Sequence, residues 1–160
     1  MSANSHIIRE HREAKYNHLY RRKFSWFTQC LYCGEPASSS DHVFPLSLCE
    51  RVELDDPSTR RALRRGLVIV PSCAECNSIA RDEAFISILE KRAHIQKRLA
   101  QKYRRDIKAC EWTHDEIKEL GPSLRSHILS DIASSYRAQR RVSWPNPASN
   151  IEAELLAEIV

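Results

Sequence analysis

The sequence predicts an α+β fold in which a small core containing a β-strand is flanked by several α-helices. Three observations predict it. Amphipathic segments with helical periodicity occupy both ends of the chain. A short run rich in β-branched residues lies between them, with one Cys-x-x-Cys pair before it and another after it. With 160 residues, of which 42% are hydrophobic and 3 are Gly, the chain is too apolar for disorder and too poor in Gly for a many-turned β-sandwich.

Hydrophobic periodicity and capping residues place the elements along the chain. Residues 67–70, Leu-Val-Ile-Val, predict a strand. Residues 43–44 are expected to be extended, because Pro45 disfavours a helical conformation in the residue before it. For residues 46–54, the sequence does not distinguish irregular chain from one or two helical turns. Helices are predicted over residues 6–29, 57–65, 74–81, 82–105, 114–120 and 124–141.

The elements divide the chain into four segments. Residues 1–29 form a basic N-terminal helix, residues 30–82 contain both Cys-x-x-Cys pairs, residues 83–144 form a helical extension, and residues 145–160 form an acidic tail. The tail is either a short helix or a flexible segment. In one interpretation the tail is a docking helix for a larger assembly, and a homodimer or larger assembly forms through the C-terminal helices or the tail.

The charge distribution indicates a polyanionic partner. The net charge is +4, and residues 1–29 carry six Lys or Arg against two Glu, while residues 83–112 carry eight against four acids. Two basic segments therefore flank a mildly acidic middle, which suits a polyanion bound around a site that itself holds cations. The plainer interpretation is that both segments are solvated helix faces. Neither an apolar run of membrane-spanning length nor a signal-peptide pattern is present, so we expect a soluble, cytoplasmic protein.

Four of the six cysteines form a pattern typical of a zinc site. They fall into two pairs, Cys30–Cys33 and Cys73–Cys76, each with the spacing Cys-x-x-Cys. Two such pairs complete a tetrahedral coordination sphere around Zn²⁺, so the sequence predicts a structural zinc ion. The alternative is four buried thiols in the core. The other two cysteines, Cys49 and Cys110, are expected to be ordinary thiols.

A polar trio lies between and beside the cysteine pairs. Asp41 and His42 precede an extended segment, and Asn77 directly follows Cys76. Hydrolysis of a phosphodiester needs an activated water and a cation that balances charge on the phosphoryl oxygens. A neutral His42 suits the general base, and the oxygens of Asp41 and Asn77 suit a hard divalent cation such as Mg²⁺ or Mn²⁺. In the alternative, Asp41 caps a turn and Asn77 caps the helix that follows Cys76.

Taken together, these motifs resemble the HNH endonucleases, also called ββα-metal nucleases, in the branch with a four-cysteine zinc. The motifs are Cys-x-x-Cys-Gly, Asp-His-x-x-Pro, a hydrophobic strand, and Cys-x-x-Cys-Asn, over residues 30–81. The resemblance is to small phage and bacterial proteins, so it implies a bacterial cytoplasm or that of a phage-infected host. It also implies a treble-clef ββα-metal core, cleavage of double-stranded DNA, His42 as base, and Asp41 and Asn77 as ligands of the catalytic metal.

The sequence departs from the family pattern at two positions. Val68 occupies the position of the middle asparagine, which in the family tethers the loop between the strands by hydrogen bonds. The resemblance therefore leaves the rigidity of the Asp41–His42 loop unexplained. Arg81 lies four residues after Asn77, where many relatives have Lys at three, and its planar guanidinium suits a bidentate contact with phosphate.

Basic residues near the trio are the predicted nucleic-acid contacts. The helices over residues 6–29 and 83–105 would grip the phosphate backbone, which gives affinity without sequence information. The contacts expected nearest the scissile strand are Arg60, Arg61, Arg64, Arg65 and Arg81. The aromatic residues among the basic ones suit either base stacking or core packing: Tyr16, Tyr20, Trp26 and Tyr103. The alternative function is a non-catalytic, zinc-stapled module that binds nucleic acid or protein, which Val68 favours.

Overall fold

The structure, a computed structural model, describes residues 3–22, 28–81, 83–108 and 111–145. The described chain is a mixed α+β fold with one small sheet, as the sequence predicts. Its strands are β1 (Arg21–Arg22), β2 (Ser39–His42) and β3 (Val68–Ser72). Its helices are α1 (Ala3–Tyr16), α2 (Leu46–Cys49), α3 (Pro57–Leu63), α4 (Ala74–Ala80), α5 (Ile88–Lys102), α6 (Arg104–Ile107), α7 (His114–Glu119) and α8 (Pro122–Val142). The predicted tail beyond Pro145, Trp26 and Cys110 lie outside the described residues.

The sheet has the order β1-β3-β2, with β1 parallel and β2 antiparallel to β3. Because side chains alternate along a strand, the sheet buries a different set of side chains on each of its two faces. On one face, Val43, Val68 and Val70 pack in a cluster that includes the four paired cysteines and the apolar side of α5. On the other face, Phe44 and Ile69 pack in a second cluster, which also contains Tyr16 at the end of α1 and Tyr20 shortly after it. The central strand β3 is thus buried on both sides.

The first predicted helix is wrong over residues 17–22 and 28–29, the described part of that segment beyond residue 16. The helix α1 ends at Tyr16, a 3₁₀ turn covers Asn17–Leu19, and β1 follows. Arg21 donates its backbone N–H to the carbonyl of Leu67 at 3.0 Å, so the chain pairs with the core strand instead of continuing the helix. Tyr16 and Tyr20 are buried in the cluster on the α1 side of the sheet. Of the two uses that the sequence predicts for them, base stacking and core packing, the structure shows core packing.

The long helix predicted over residues 82–105 is shorter, and two of its basic residues are buried. The helix α5 begins at Ile88, where Ser87 accepts a hydrogen bond from Glu90 N–H, and it ends at Lys102. Lys91 is 0% exposed and Arg92 is 8% exposed. The expectation that the basic residues of this segment grip nucleic acid is therefore wrong for these two residues.

The remaining elements follow the sequence closely. The capping box that Thr113 and Glu116 predict is present at the start of α7, and Asp56 caps α3 by accepting the N–H of Thr59. The open segment 46–54 contains the single-turn helix α2. Among the described helices, none combines the length and apolar character that a membrane span requires.

Candidate metal centre and adjacent cleft

The four paired cysteines come together at one point of the core, as predicted. The sulfur atoms of Cys30, Cys33, Cys73 and Cys76 all lie within 4.8 Å of one another. With a Zn–S bond of about 2.3 Å, a tetrahedral site has S···S edges of about 3.8 Å. The observed Cys33–Cys73 Sγ distance is 3.7 Å, and all four residues are buried. The geometry and the chemistry of the donors fit a structural metal ion such as Zn²⁺.

Local backbone structure turns each cysteine pair toward this point. After the first pair, Gly34 has a φ of +73° and donates its N–H to the carbonyl of Cys30 at 2.9 Å. Only glycine adopts this conformation without strain, which explains the Gly that directly follows Cys33. In the second pair, Cys73 is the N-cap of α4 and its sulfur accepts the N–H of Cys76. A strand–helix junction therefore holds one pair and a tight turn holds the other.

The C-terminal helix α8 covers the first cysteine turn, an arrangement that sequence reasoning missed. Arg141 lies with Nη2 3.6 Å from Cys33 Sγ and with Nη1 2.7 Å from a Glu75 carboxylate oxygen. A tetrathiolate zinc centre at these cysteines would carry net negative charge, and the buried Arg141 guanidinium would supply a counter-charge. Trp144 lies against the turn, where a Cβ atom placed on Gly34 would be 2.3 Å from its ring. The two contacts fix α8 to the metal centre.

Asp41 does not present its carboxylate to solvent. It is 4% exposed, and Lys91 Nζ lies 2.9 Å from each of its two carboxylate oxygens. The Tyr32 hydroxyl donates to Oδ2 at 2.6 Å. Burial raises the pKa of the Asp41 carboxyl, and the Lys91 ammonium and the Tyr32 hydroxyl oppose that shift. Both carboxylate oxygens are thus already bound by donors of the protein.

Lys91 also holds the end of β2 in place. Its ammonium group donates to the carbonyl oxygens of His42 at 2.8 Å and of Val43 at 3.2 Å. The resemblance left the rigidity of this loop unexplained because Val68 replaces the tethering asparagine, and Val68 is a buried core residue in the structure. The structure thus provides hydrogen bonds to this loop from α5.

His42 faces the side of the sheet opposite to Asp41, as alternation along a strand requires. Its Nε2 lies 2.9 Å from Asn17 Oδ1, and its ring meets the Tyr20 ring edge-on with centroids 4.8 Å apart. Burial is the main cause that lowers its pKa to about 4, and the positive charge of Lys91 contributes in the same direction. Glu13 opposes the shift. The imidazole is therefore neutral at physiological pH.

His42 opens onto a cleft of about 480 Å³ bounded by α1, the chain from β2 to α2, and the second half of α4. We call this the His42 cleft. Asn77 is partly exposed there, with its amide nitrogen 3.5 Å from Ser39 Oγ, and Arg81 is exposed at the end of α4. Three further charged side chains at the cleft come from α1: Arg9, Arg12 and Glu13. All three are paired, Arg9 with Glu13 at 2.7 Å and Arg12 with Glu50 at 2.9 Å.

The structure thus brings His42, Asn77 and Arg81 together at one cleft. Asp41 also lines this cleft, but it is 4% exposed and its carboxylate is bound by Lys91 and Tyr32. The predicted arginines of α3 lie elsewhere, because Arg60, Arg61 and Arg64 line a separate cavity, and Arg65 is exposed outside it. The sequence does contain an indication that Lys91 is buried. It lies three residues after Ile88 and four before Ile95, on the apolar stripe of α5, where a solvated lysine is not expected.

Comparison of the chain with family models, with curated proteins and with solved structures gives no significant match. The resemblance to HNH endonucleases therefore stays a prediction that rests on the motifs.

Proposed function

We propose that the protein is an endonuclease of the HNH type that hydrolyses phosphodiester bonds in DNA, with a treble-clef ββα-metal core. One observation carries the proposal. His42, neutral at physiological pH, shares a cleft with Asn77 and Arg81, next to a four-cysteine centre that fixes β3 to α4. These residue types in one cleft suit proton removal from water beside a bound phosphate.

His42 has the tautomer and the charge that a general base needs. With Asn17 Oδ1 as the acceptor of this contact, Nε2 is assigned the proton, and in that tautomer Nδ1 retains its lone pair. With a pKa of about 4, the ring is in its basic form throughout the physiological range. Glu13 lines the same cleft and favours the imidazolium that forms when Nδ1 accepts a proton. Arg81, exposed at the cleft, is suited to hold a phosphate oxygen.

The oxygen donors predicted for Mg²⁺ or Mn²⁺ do not fit together in this structure. Asn77 lines the cleft, but the Asp41 carboxylate is buried and accepts from Lys91 and Tyr32. A cation at Asp41 would have to displace the Lys91 ammonium, which bonds four oxygen atoms. We therefore assign no step of the reaction to a metal held by Asp41.

Supercoiled plasmid tests the proposal. We expect nicked or linear product from the wild-type protein in a series of buffers with Mg²⁺, with Mn²⁺ and with chelator. His42→Ala is expected to abolish cleavage in every buffer while the variant retains its circular-dichroism spectrum and its zinc. His127→Ala is the matched control, because this histidine is exposed on α8, and it should cleave normally. Cleavage by His42→Ala at the wild-type rate would refute the assigned base.

The second candidate is a zinc-stapled module that binds nucleic acid or protein without cleaving it. The burial of Asp41 against Lys91 favours it, since this ion pair occupies the carboxylate that the HNH pattern assigns to a metal. The same plasmid experiment separates the two candidates. A protein that retards the plasmid in a gel but leaves it supercoiled in every buffer is the binding module.

A further inference from the structure

A second basic surface lies between α3 and the chain around β1, and we call it the arginine groove. It encloses about 410 Å³. Five basic side chains from three parts of the chain line it: His18, Arg21, Arg60, Arg61 and Arg64. Because His18 follows α1, Arg21 lies in β1 and the others belong to α3 or its C-cap, only the folded chain brings these charges together.

No carboxylate is among the described residues that line the groove. Asp56, at the start of α3, is engaged at the helix N-terminus, where it accepts from Thr59 N and from the Thr59 hydroxyl. Arg60 and Arg64 are four residues apart on one helical face, a spacing at which like charges repel. The described lining of the groove therefore combines four arginines and a histidine with no acidic side chain, a composition that suits a polyanion.

One residue of the groove, Arg21, lies in β1, two strands across the sheet from β2, which carries His42. Arg21 pairs with Val68 in β3, and Val43 donates its N–H to the carbonyl of the same Val68. The three residues thus form a row across the sheet, which is about 10 Å wide at a strand separation of about 4.8 Å.

We infer that the arginine groove binds the phosphate backbone of double-stranded DNA, beside β1, while β2 carries His42 at the other edge of the sheet. The inference rests on the proposed function for the identity of the substrate, and it adds the surface that holds that substrate. Arginine favours it, because the planar guanidinium makes paired hydrogen bonds to phosphate oxygens. Such contacts set position and affinity without reading sequence.

Fluorescence anisotropy with a labelled 20-base-pair duplex tests this inference. The buffer contains EDTA at a concentration that leaves the cysteine-bound zinc in place, so no cleavage interferes. We expect Arg61→Gln to weaken binding to duplexes of unrelated sequence equally, and to reduce the slope of log K against log salt by about 0.9. Arg65→Gln is the matched control, since it removes the same charge four residues along the chain but outside the groove. Its slope should stay close to that of the wild type.

Equal slopes for Arg61→Gln and Arg65→Gln would overturn the inference, because general charge would then explain the affinity. Competition by poly-glutamate as effective as competition by DNA would also overturn it, in favour of an acidic protein partner. His42→Ala separates this test from the proposed function. The variant should bind the duplex like the wild type. If the proposed activity is absent, plasmid cleavage fails while duplex binding still depends on Arg61. If the groove inference is wrong, duplex binding does not depend on Arg61.

Discussion

Lys91 and Asp41 form an ion pair inside the protein, with Nζ 2.9 Å from each carboxylate oxygen. The lysine is 0% exposed and the aspartate 4% exposed. The pair joins α5 to the end of β2 across fifty positions of the chain. Taking two charges out of water is costly, and the cost is offset only when the remaining hydrogen-bonding groups are satisfied. Tyr32 and the carbonyl groups of His42 and Val43 complete that set.

Breaking this pair from either side is expected to destabilise the protein strongly. Lys91→Met leaves a buried carboxylate without a counter-charge, and Asp41→Asn leaves a buried ammonium. Each should lower the free energy of unfolding by about 3–5 kcal/mol. The double variant should lose clearly less than the sum of both, because it leaves no unpaired charge. Urea unfolding of the four proteins with zinc present gives the coupling energy. Additive losses would show that the two charges do not depend on each other.

The depressed pKa of His42 makes stability depend on pH. A histidine in an unfolded chain has a pKa near 6.5, while in the folded protein the pKa of His42 is about 4. The unfolded state therefore binds the proton more readily between these values. The contribution of His42 is fully present above pH 6.5 and is lost as the pH falls through about 4, with a total of roughly 3 kcal/mol.

The measurement is urea unfolding at several pH values between 7.5 and 4, for the wild type and for His42→Gln. Carboxylates and zinc ligands titrate in both proteins, so the difference between the two isolates His42. The stability advantage of the wild type should shrink by up to roughly 3 kcal/mol on acidification. Parallel curves would mean that the imidazole has an ordinary pKa in the folded protein.

Removal of one zinc ligand should cost most of the stability. Elemental analysis is expected to find one Zn²⁺ per chain in the wild type and none in Cys30→Ala. Because the binding free energy of a structural zinc is folding free energy, of the order of 10 kcal/mol, this variant should be unfolded or insoluble. Cys49→Ala is the control, since Cys49 is equally buried but lies in the other cluster, against Tyr20. It should retain the metal and a cooperative unfolding transition.

The sequence alone was sufficient wherever a local pattern determines the structure. The spacing of the cysteines predicted the cluster that the structure shows, and Thr113 with Glu116 predicted a capping box. Each of these features depends on residues within a few positions of one another, except for the meeting of the two cysteine pairs. The meeting of the two pairs was predictable from metal chemistry, because one zinc ion prefers four ligands and each Cys-x-x-Cys pair supplies two.

Long-range partners escaped prediction. The pattern after Tyr16 remains helical in period, but pairing of Arg21 with Val68 overrides it, because a strand ladder with the core competes with a marginal helix. Lys91 was interpreted as a surface residue, since nothing near it in the chain indicates Asp41 as its partner. Arg141 likewise reaches Cys33 from the far end of the chain, and no local motif records that contact.

Substitution of Gly34 should separate the C-terminal helix from the metal centre. Gly34→Ala places a Cβ atom 2.3 Å from the Trp144 ring in a residue with a φ of +73°, so both crowding and backbone strain oppose it. We expect a loss of a few kcal/mol in thermal or urea unfolding. Gly121→Ala is the matched control, because its Cβ atom meets nothing within 4 Å and its φ is −61°. A control as unstable as Gly34→Ala would contradict the explanation.

Arg81 combines backbone strain with a position at the His42 cleft. Its φ of 43° and ψ of −134° are a conformation that favours glycine, and such strain costs about 1–3 kcal/mol. Strained residues persist where function requires their side chains. Arg81→Gly should therefore raise the free energy of unfolding by about 1 kcal/mol and weaken both duplex binding and plasmid cleavage. Arg81→Ala removes the guanidinium but keeps the strain, so it should lose binding without gaining stability. If the two variants are equally stable, the strain is absent, and if both bind DNA like the wild type, the guanidinium does not contact phosphate.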